Sequence, residues 1–325
     1  MQLDIKTVHW PLKVPFTISR ETIYDLPCIW VELRDGDYVG RAESVGVDYH
    51  GETPETITAQ LEAVRATIEA GIDRTALQNL LPHGGARQAI DCAVWDMEAK
   101  RSGIPAWKSA GLNDIRIVET ALTLGIMDEA ELRNTAKAAQ NFATLKVKTN
   151  ADRGLDPIRI INEAAPTSRL IVDANESWTG ADLERYAASF MGLGVALLEQ
   201  PVHHDDDECL RGLSLPVPVA ADEAFNTCAD IPGLVGKYQV LNIKLDKTGG
   251  LTEALAAAKM GQELGFRLMV GCMVGSSLGM APAHIIAQMC DFIDLDGPLL
   301  QATDCDHPIL YQGGRMGIPE HALWG

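Results

Sequence analysis

No uninterrupted apolar stretch of membrane-spanning length occurs in the sequence, although 46% of its 325 residues are hydrophobic. A helical span needs about 20 such residues in a row, so no membrane association is expected. The opening MQLDIKTVHWPL lacks the basic, apolar and small-residue succession of a secretory leader. A cytoplasmic location is therefore the expectation. Seven cysteines, at positions 28, 92, 209, 228, 272, 290 and 305, include no C-x-x-C pair. An odd, unpatterned set implies reduced thiols, neither disulfides nor a zinc–cysteine centre. Positive charge is scarce: 27 Lys and Arg stand against 45 Asp and Glu, a net charge of −18. Such a surface repels phosphate backbones, which argues against nucleic acid as a partner. Association of identical chains is left open by these features.

Two alternating runs in PCIWVELRDGDYVGRAES flank Asp35-Gly36, a hairpin signal. After the polar loop SVGVDYHGE, Thr53-Pro54 reads as an N-cap with proline in the first helical turn, and helical patterning continues to about residue 70. A second helix, GGARQAIDCAVWDMEAKRSG, ends at a glycine. These elements define an α+β unit over residues 1–108. Eight short apolar runs follow: VETALTL, TLKVK, RLIVDAN, VALLEQP, PVAADE, QVLNIKLD, RLMVGC and DFIDLD. Their markers Lys148, Asp173, Glu199, Asp222, Lys244, Gly271 and Asp294 are spaced by 22 to 27 residues, with helical stretches between them. A strand, a crossover helix and two loops need about that length. Eight such units predict an α/β fold, a (β/α)8-type barrel over 109–310, with 311–325 returning to the capping domain.

In that architecture active sites form where strands meet their following loops. Asp173, Glu199 and Asp222 end three successive strands, and three carboxylates held close would repel unless a hard divalent cation joined them. Oxygen-only ligands suit Mg²⁺. Lys148 precedes the trio and Lys244 follows it. A cationic neighbourhood is expected to lower their pKa values and to free an amine as general base. Lys146 shares a strand face with Lys148 and would hold a substrate carboxylate or tune its neighbour. The alternative for these residues is a plain ion-pair network, or solvated carboxylates after strands. HHDDDE (203–208) reads as a solvated loop entering a helix, and KTGG (247–250) as a strand-to-helix turn. Cys272 ends a strand at the barrel mouth with no activating base nearby.

From TLKVK through LIVDANESW, LLEQP, ADE and LNIKLDKTGGL to DLDGP, the chain resembles the muconate-lactonising subgroup of the enolase superfamily. Within that subgroup it is most similar to the dipeptide epimerases of the L-Ala-D/L-Glu type. The resemblance implies that Lys148 and Lys244 are the acid/base pair and that Asp173, Glu199 and Asp222 hold Mg²⁺. It implies that Asp294 and Asp296 receive a dipeptide's ammonium, and that Arg20 faces a glutamyl carboxylate. Thr123, in the first barrel run, is counted with Lys146 among the substrate-binding residues. The implied reaction is epimerisation of the C-terminal residue by 1,1-proton transfer, in a setting of cell-wall peptide recycling. Rivals are a muconate cycloisomerase or an o-succinylbenzoate synthase, which need no Asp294/Asp296 ammonium site. More distant rivals are a Schiff-base aldolase and a non-catalytic binding protein.

Overall fold

A computed structural model describes residues 1–18 and 22–325. Three antiparallel strands open the chain: β1 (Gln2–Thr17), β2 (Thr22–Asp35) and β3 (Tyr38–Ser44). The β2–β3 hairpin turns at Gly36, whose φ of +59° lies in the left-handed region that favours glycine. One face of β2 presents Ile29, Val31 and Leu33 to the core, each fully buried. Helices α1 (Pro54–Glu69) and α3 (Gly85–Ser102) cover that face, and α2 (Arg74–Leu80) packs on α3. The α1 start follows the sequence signal: the Thr53 hydroxyl accepts the Thr56 N–H, and Pro54 occupies the first turn. At its end α3 is closed by Gly103 in the left-handed conformation.

The rest of the chain winds a parallel sheet. After the short β4 (Val118–Glu119) come β5 (Leu122–Leu124), β6 (Thr144–Lys148), β7 (Arg169–Asp173) and β8 (Val195–Glu199). These are followed by β9 (Val219–Ala221), β10 (Val240–Ile243), β11 (Arg267–Val270) and β12 (Phe292–Ile293). Strands β5 to β12 lie in sequence order in one eight-stranded sheet. The sheet closes on itself, because the Ala121 N–H donates to the Ile293 carbonyl at 2.8 Å. All eight expected runs are therefore barrel strands. Two last strands, β13 (Tyr311–Gln312) and β14 (Arg315–Met316), pair with β4. Beyond them Trp324 donates to the Cys92 carbonyl and the Gly325 N–H donates to Asp96, both on α3.

Buried carboxylates fasten the two regions together. Glu43 on β3 accepts the Ser276 N–H at 2.6 Å, the Ser276 hydroxyl at 2.7 Å and Trp10 Nε1 at 2.8 Å. Asp91 on α3 accepts the Thr252 N–H at 3.0 Å. Burial pushes the Glu43 carboxyl up to about 7, against the lowering by these hydrogen bonds. A folded-state value above the ordinary one means that this group's stabilisation is complete below about pH 4.5 and is lost as pH rises through about 7. Urea unfolding of the wild type and Glu43→Gln should show the wild type's advantage shrinking by about 3 kcal/mol between pH 5 and 8. An advantage that is flat or growing with pH contradicts this.

Candidate active site

The strand pleat determines what the barrel mouth presents. One inward layer is apolar: Ala121, Ile171, Leu197, Ala220, Val240, Met269 and Phe292 form a cluster separate from the main core. Two residues further along each strand, the same face carries Asp173, Glu199, Asp222, Asn242, Gly271 and Asp294. Leu145 and Val147 point the other way, into the main core. Lys146 and Lys148 accordingly face the mouth, which accounts for two ammonium groups on an otherwise apolar strand.

Lys146 is 3% exposed and donates to Glu199 Oε1 and Asp294 Oδ2, each at 2.8 Å, with Asp173 Oδ2 at 3.1 Å. Lys148 donates to Asp173 Oδ2 at 2.6 Å and to Asn175 Oδ1 at 3.1 Å. Lys244 donates to Asp222 Oδ2 at 2.6 Å, and Lys247 takes the other oxygen, Oδ1, at 2.6 Å. Asn242 adds a bond to Glu199 Oε1 at 3.0 Å. Strands β6 and β10 are four positions apart in the closed ring of eight. Lys148 and Lys244 thus stand on opposite sides of the mouth, with Asp173, Glu199 and Asp222 on the strands between them. A cleft of about 190 Å³ is lined by both lysines with Lys146, Thr123, Asn175, Asp222, Asp294 and Asp296. From the cap it receives Phe16, Ile23, Val45, Tyr49 and Glu52.

The electrostatics follow from burial and from the lysines. Asp173 and Asp222 resist the upward push of burial because Lys148, Lys146, Lys244 and Lys247 hold them well below the usual carboxylate range. Burial, then the nearby Asp173 charge, pushes Glu199 up to about 8. Burial and the Asp294 charge push Asp296 up to about 7. For Lys244 the expected lowering is opposed by the surrounding carboxylates. Burial does act to lower Lys146 and Lys244, but the carboxylates outweigh it and both are raised. Lys247 is lowered, by burial.

A cation would change that balance. The carboxylates Asp173, Glu199, Asp222, Asp294 and Asp296 outnumber the ammoniums Lys146, Lys148, Lys244 and Lys247 around them. Glu199 Oε2 is fully buried and has no hydrogen-bond partner among the described residues, a costly state for a carboxylate oxygen. All the donors are hard oxygens, so the set fits a hard divalent ion.

Among the other expected site residues, Thr123 donates its N–H to Asp296 Oδ2 at 2.6 Å and its hydroxyl to Asp294 Oδ1 at 3.3 Å. Arg20 lies outside the described residues. Cys272 lines the cleft, and burial raises its thiol, so it is not activated. Sequence reasoning missed Lys247: KTGG is indeed a turn leading into a helix, but it carries a fully buried lysine on Asp222. An Asp-to-Lys separation of 25 residues offered no local pattern to find it. HHDDDE forms a largely exposed 3-10 turn, His204–Leu210. Among the described residues, Glu176, His203 and His204 are the set of three metal-type ligand atoms within 4.8 Å of one another. The Nδ1 of His204 already faces Glu176 at 2.6 Å, and that of His203 accepts the Asp205 N–H at 3.2 Å. A larger hollow of about 250 Å³, between Trp107 and Trp324, has no acidic or lysine lining.

Comparison with known proteins agrees with this architecture. Residues 1–111 match the model of the mandelate racemase/muconate lactonizing enzyme N-terminal domain, and residues 129–322 the enolase C-terminal domain-like model. The chain belongs to the mandelate racemase/muconate-lactonising family of the enolase superfamily. It is 40% identical over 299 residues to an N-acetyl-D-glutamate racemase of Pseudoalteromonas sp, covering 91% of this chain and 95% of that one. It is 37% identical over 311 residues to the L-Ala-D/L-Glu epimerase of Escherichia coli K12, covering 95% and 97%. A crystal structure of an enolase family member from Agrobacterium tumefaciens, with homology to dipeptide epimerases, superposes with a TM-score of 0.97 at 40% identity over 99% of both chains. That protein holds sodium and L-Ala-L-Glu.

Replacing Lys146 tests the charge balance of the site. Lys146→Met should leave Asp173, Glu199 and Asp294 without their shared counterion and cost about 3–5 kcal/mol in urea unfolding at pH 7 without divalent ions. A loss below about 1 kcal/mol would mean that other groups neutralise them.

Proposed function

We propose that the protein is an epimerase that inverts the α-carbon of the C-terminal residue of a dipeptide, with L-Ala-D/L-Glu as the preferred substrate. The placement of two lysines across the barrel mouth, with three carboxylates between them, carries this reading. Asp173, Glu199 and Asp222 would hold Mg²⁺. The bound ion would supply positive charge where a substrate carboxylate gains negative charge on enolisation. Lys148 and Lys244 do the proton work: one amine takes the α-proton from its side, and the opposite ammonium returns a proton to the other face. Two groups of one type on opposite faces serve the reaction in both directions. Lys146 and Lys247 stay charged or buried against the carboxylates and keep them in place.

Asp294 and Asp296 divide the remaining work. Lys146 occupies Asp294, so Asp296, held by the Thr123 N–H, is the carboxylate left for a substrate ammonium with its three donors. Arg20 is proposed to meet the glutamyl side-chain carboxylate. A cytoplasmic role in recycling cell-wall peptides suits such a substrate. A second reading, racemisation of an N-acylated glutamate, is favoured by the similarity to the N-acetyl-D-glutamate racemase. It makes no use of an ammonium site.

Incubation with Mg²⁺ in D₂O, followed by NMR of the α-proton, distinguishes these readings. L-Ala-L-Glu should exchange and epimerise, while N-acetyl-D-glutamate should react at least about tenfold more slowly in kcat/KM. Asp296→Asn should raise the dipeptide KM by about 10- to 100-fold. Faster turnover of N-acetyl-D-glutamate, or an Asp296→Asn enzyme with unchanged KM, would shift the assignment to the acylated substrate. Exchange from neither, with reaction of a succinyl-containing cyclohexene acid, would favour the synthase rival.

A further inference from the structure

Two residues beyond Lys244, in the helical turn Leu245–Thr248, Asp246 is 7% exposed. Its Oδ1 accepts the N–H groups of Val45 and Gly46, each at 2.9 Å, and the Ser44 hydroxyl at 3.4 Å. These three residues belong to the cap, about two hundred positions away in the chain. The segment they begin lines the same cleft as Lys244: Val45, Gly46, Asp48, Tyr49 and Glu52 all border it. At its far end, Glu52 accepts the Val47 N–H at 2.8 Å and the Gly85 N–H at 3.0 Å. The segment is therefore pinned at one end by a barrel carboxylate and at the other by a carboxylate of the cap.

Gly46 has φ of +81°, a conformation that favours glycine, and a Cβ there would stand 2.7 Å from Ile57 Cδ1, so a larger residue would displace that side chain or the wall itself. Among the described residues no lysine or arginine pairs with Asp246, and burial pushes its carboxyl up to about 6. What satisfies it is a pair of backbone N–H groups and, at longer range, the Ser44 hydroxyl. That need is met equally by the carbonyl oxygen of an asparagine.

We propose that Asp246 is a positioning residue for substrate binding: it fixes the cap wall of residues 45–49 against the strand end that carries Lys244, and thereby sets substrate affinity without taking part in proton transfer. The wall is a fixed surface referenced to the base, not a lid. The kinetic part of this inference rests on the epimerase reading; the structural part does not.

Two measurements on the full-length, Mg²⁺-supplemented enzyme separate them. Hydrogen exchange should rise about tenfold in peptides spanning 44–49 in Asp246→Ala and stay near wild type in Asp246→Asn. With L-Ala-L-Glu, Asp246→Ala should raise KM about tenfold with kcat within about threefold, and Asp246→Asn should restore KM. Unchanged exchange in Asp246→Ala overturns the clamp. Raised exchange with unchanged KM overturns its role in affinity, as does an equal KM defect in Asp246→Asn. Should Asp246→Ala fail to fold, Gly46→Ala displaces the same wall from the cap side and should show the same KM-dominated loss; an unchanged KM there overturns the proposal. A wild type inactive on every dipeptide would defeat the epimerase reading while the exchange measurement still decides the clamp.

Discussion

Lys146 Nζ lies within 3.1 Å of oxygens from Asp173, Glu199 and Asp294, in a position closed to solvent. That cluster is the constraint on which the barrel mouth depends. Carboxylates gathered in a water-poor space repel one another, and each needs either a cation or a proton. The sheet meets the need by presenting lysines from β6, and from the residues that follow β10, to the carboxylates that end β7, β8 and β9. The residual imbalance is visible in Glu199, which is raised to about 8 and has one oxygen without a partner among the described residues. A site so arranged is poised for a further positive charge.

The closed parallel ring turns this electrostatic requirement into reactive geometry. Adjacent strands place metal-type ligands side by side, while strands half a ring apart place Lys148 and Lys244 face to face. Each of the two is tied to a carboxylate, Lys148 to Asp173 and Lys244 to Asp222. A change of partner on those carboxylates is thus coupled to the freedom of the amines. The cap completes the enclosure, and buried carboxylates at Glu43, Asp91 and Asp246 hold it to the barrel through backbone amides rather than through salt bridges.

Much of this was readable from the chain alone where the signal was periodic. Alternation along TLKVK and QVLNIKLD set which side chains enter the barrel, and the 22- to 27-residue spacing of strand ends counted the strands. Thr53-Pro54 and Gly103 marked helix ends because capping is a local effect. Contacts between distant residues left no such trace. Lys247 looked like part of a short turn, and Asp246 drew no notice; each acquires its role from a partner brought in by the fold. For Lys244 the neighbouring ammonium was legible in the sequence, but the carboxylates that raise it come from other strands.

The central claim is that two amines address one carbon from opposite faces. α-Proton exchange in D₂O, measured separately on each epimer with Lys148→Ala and with Lys244→Ala, tests it most directly. Neither variant should invert configuration, and each should exchange the α-proton of a different epimer. Exchange of the same epimer by both variants, or inversion surviving within a few-fold of the wild-type rate, would contradict it.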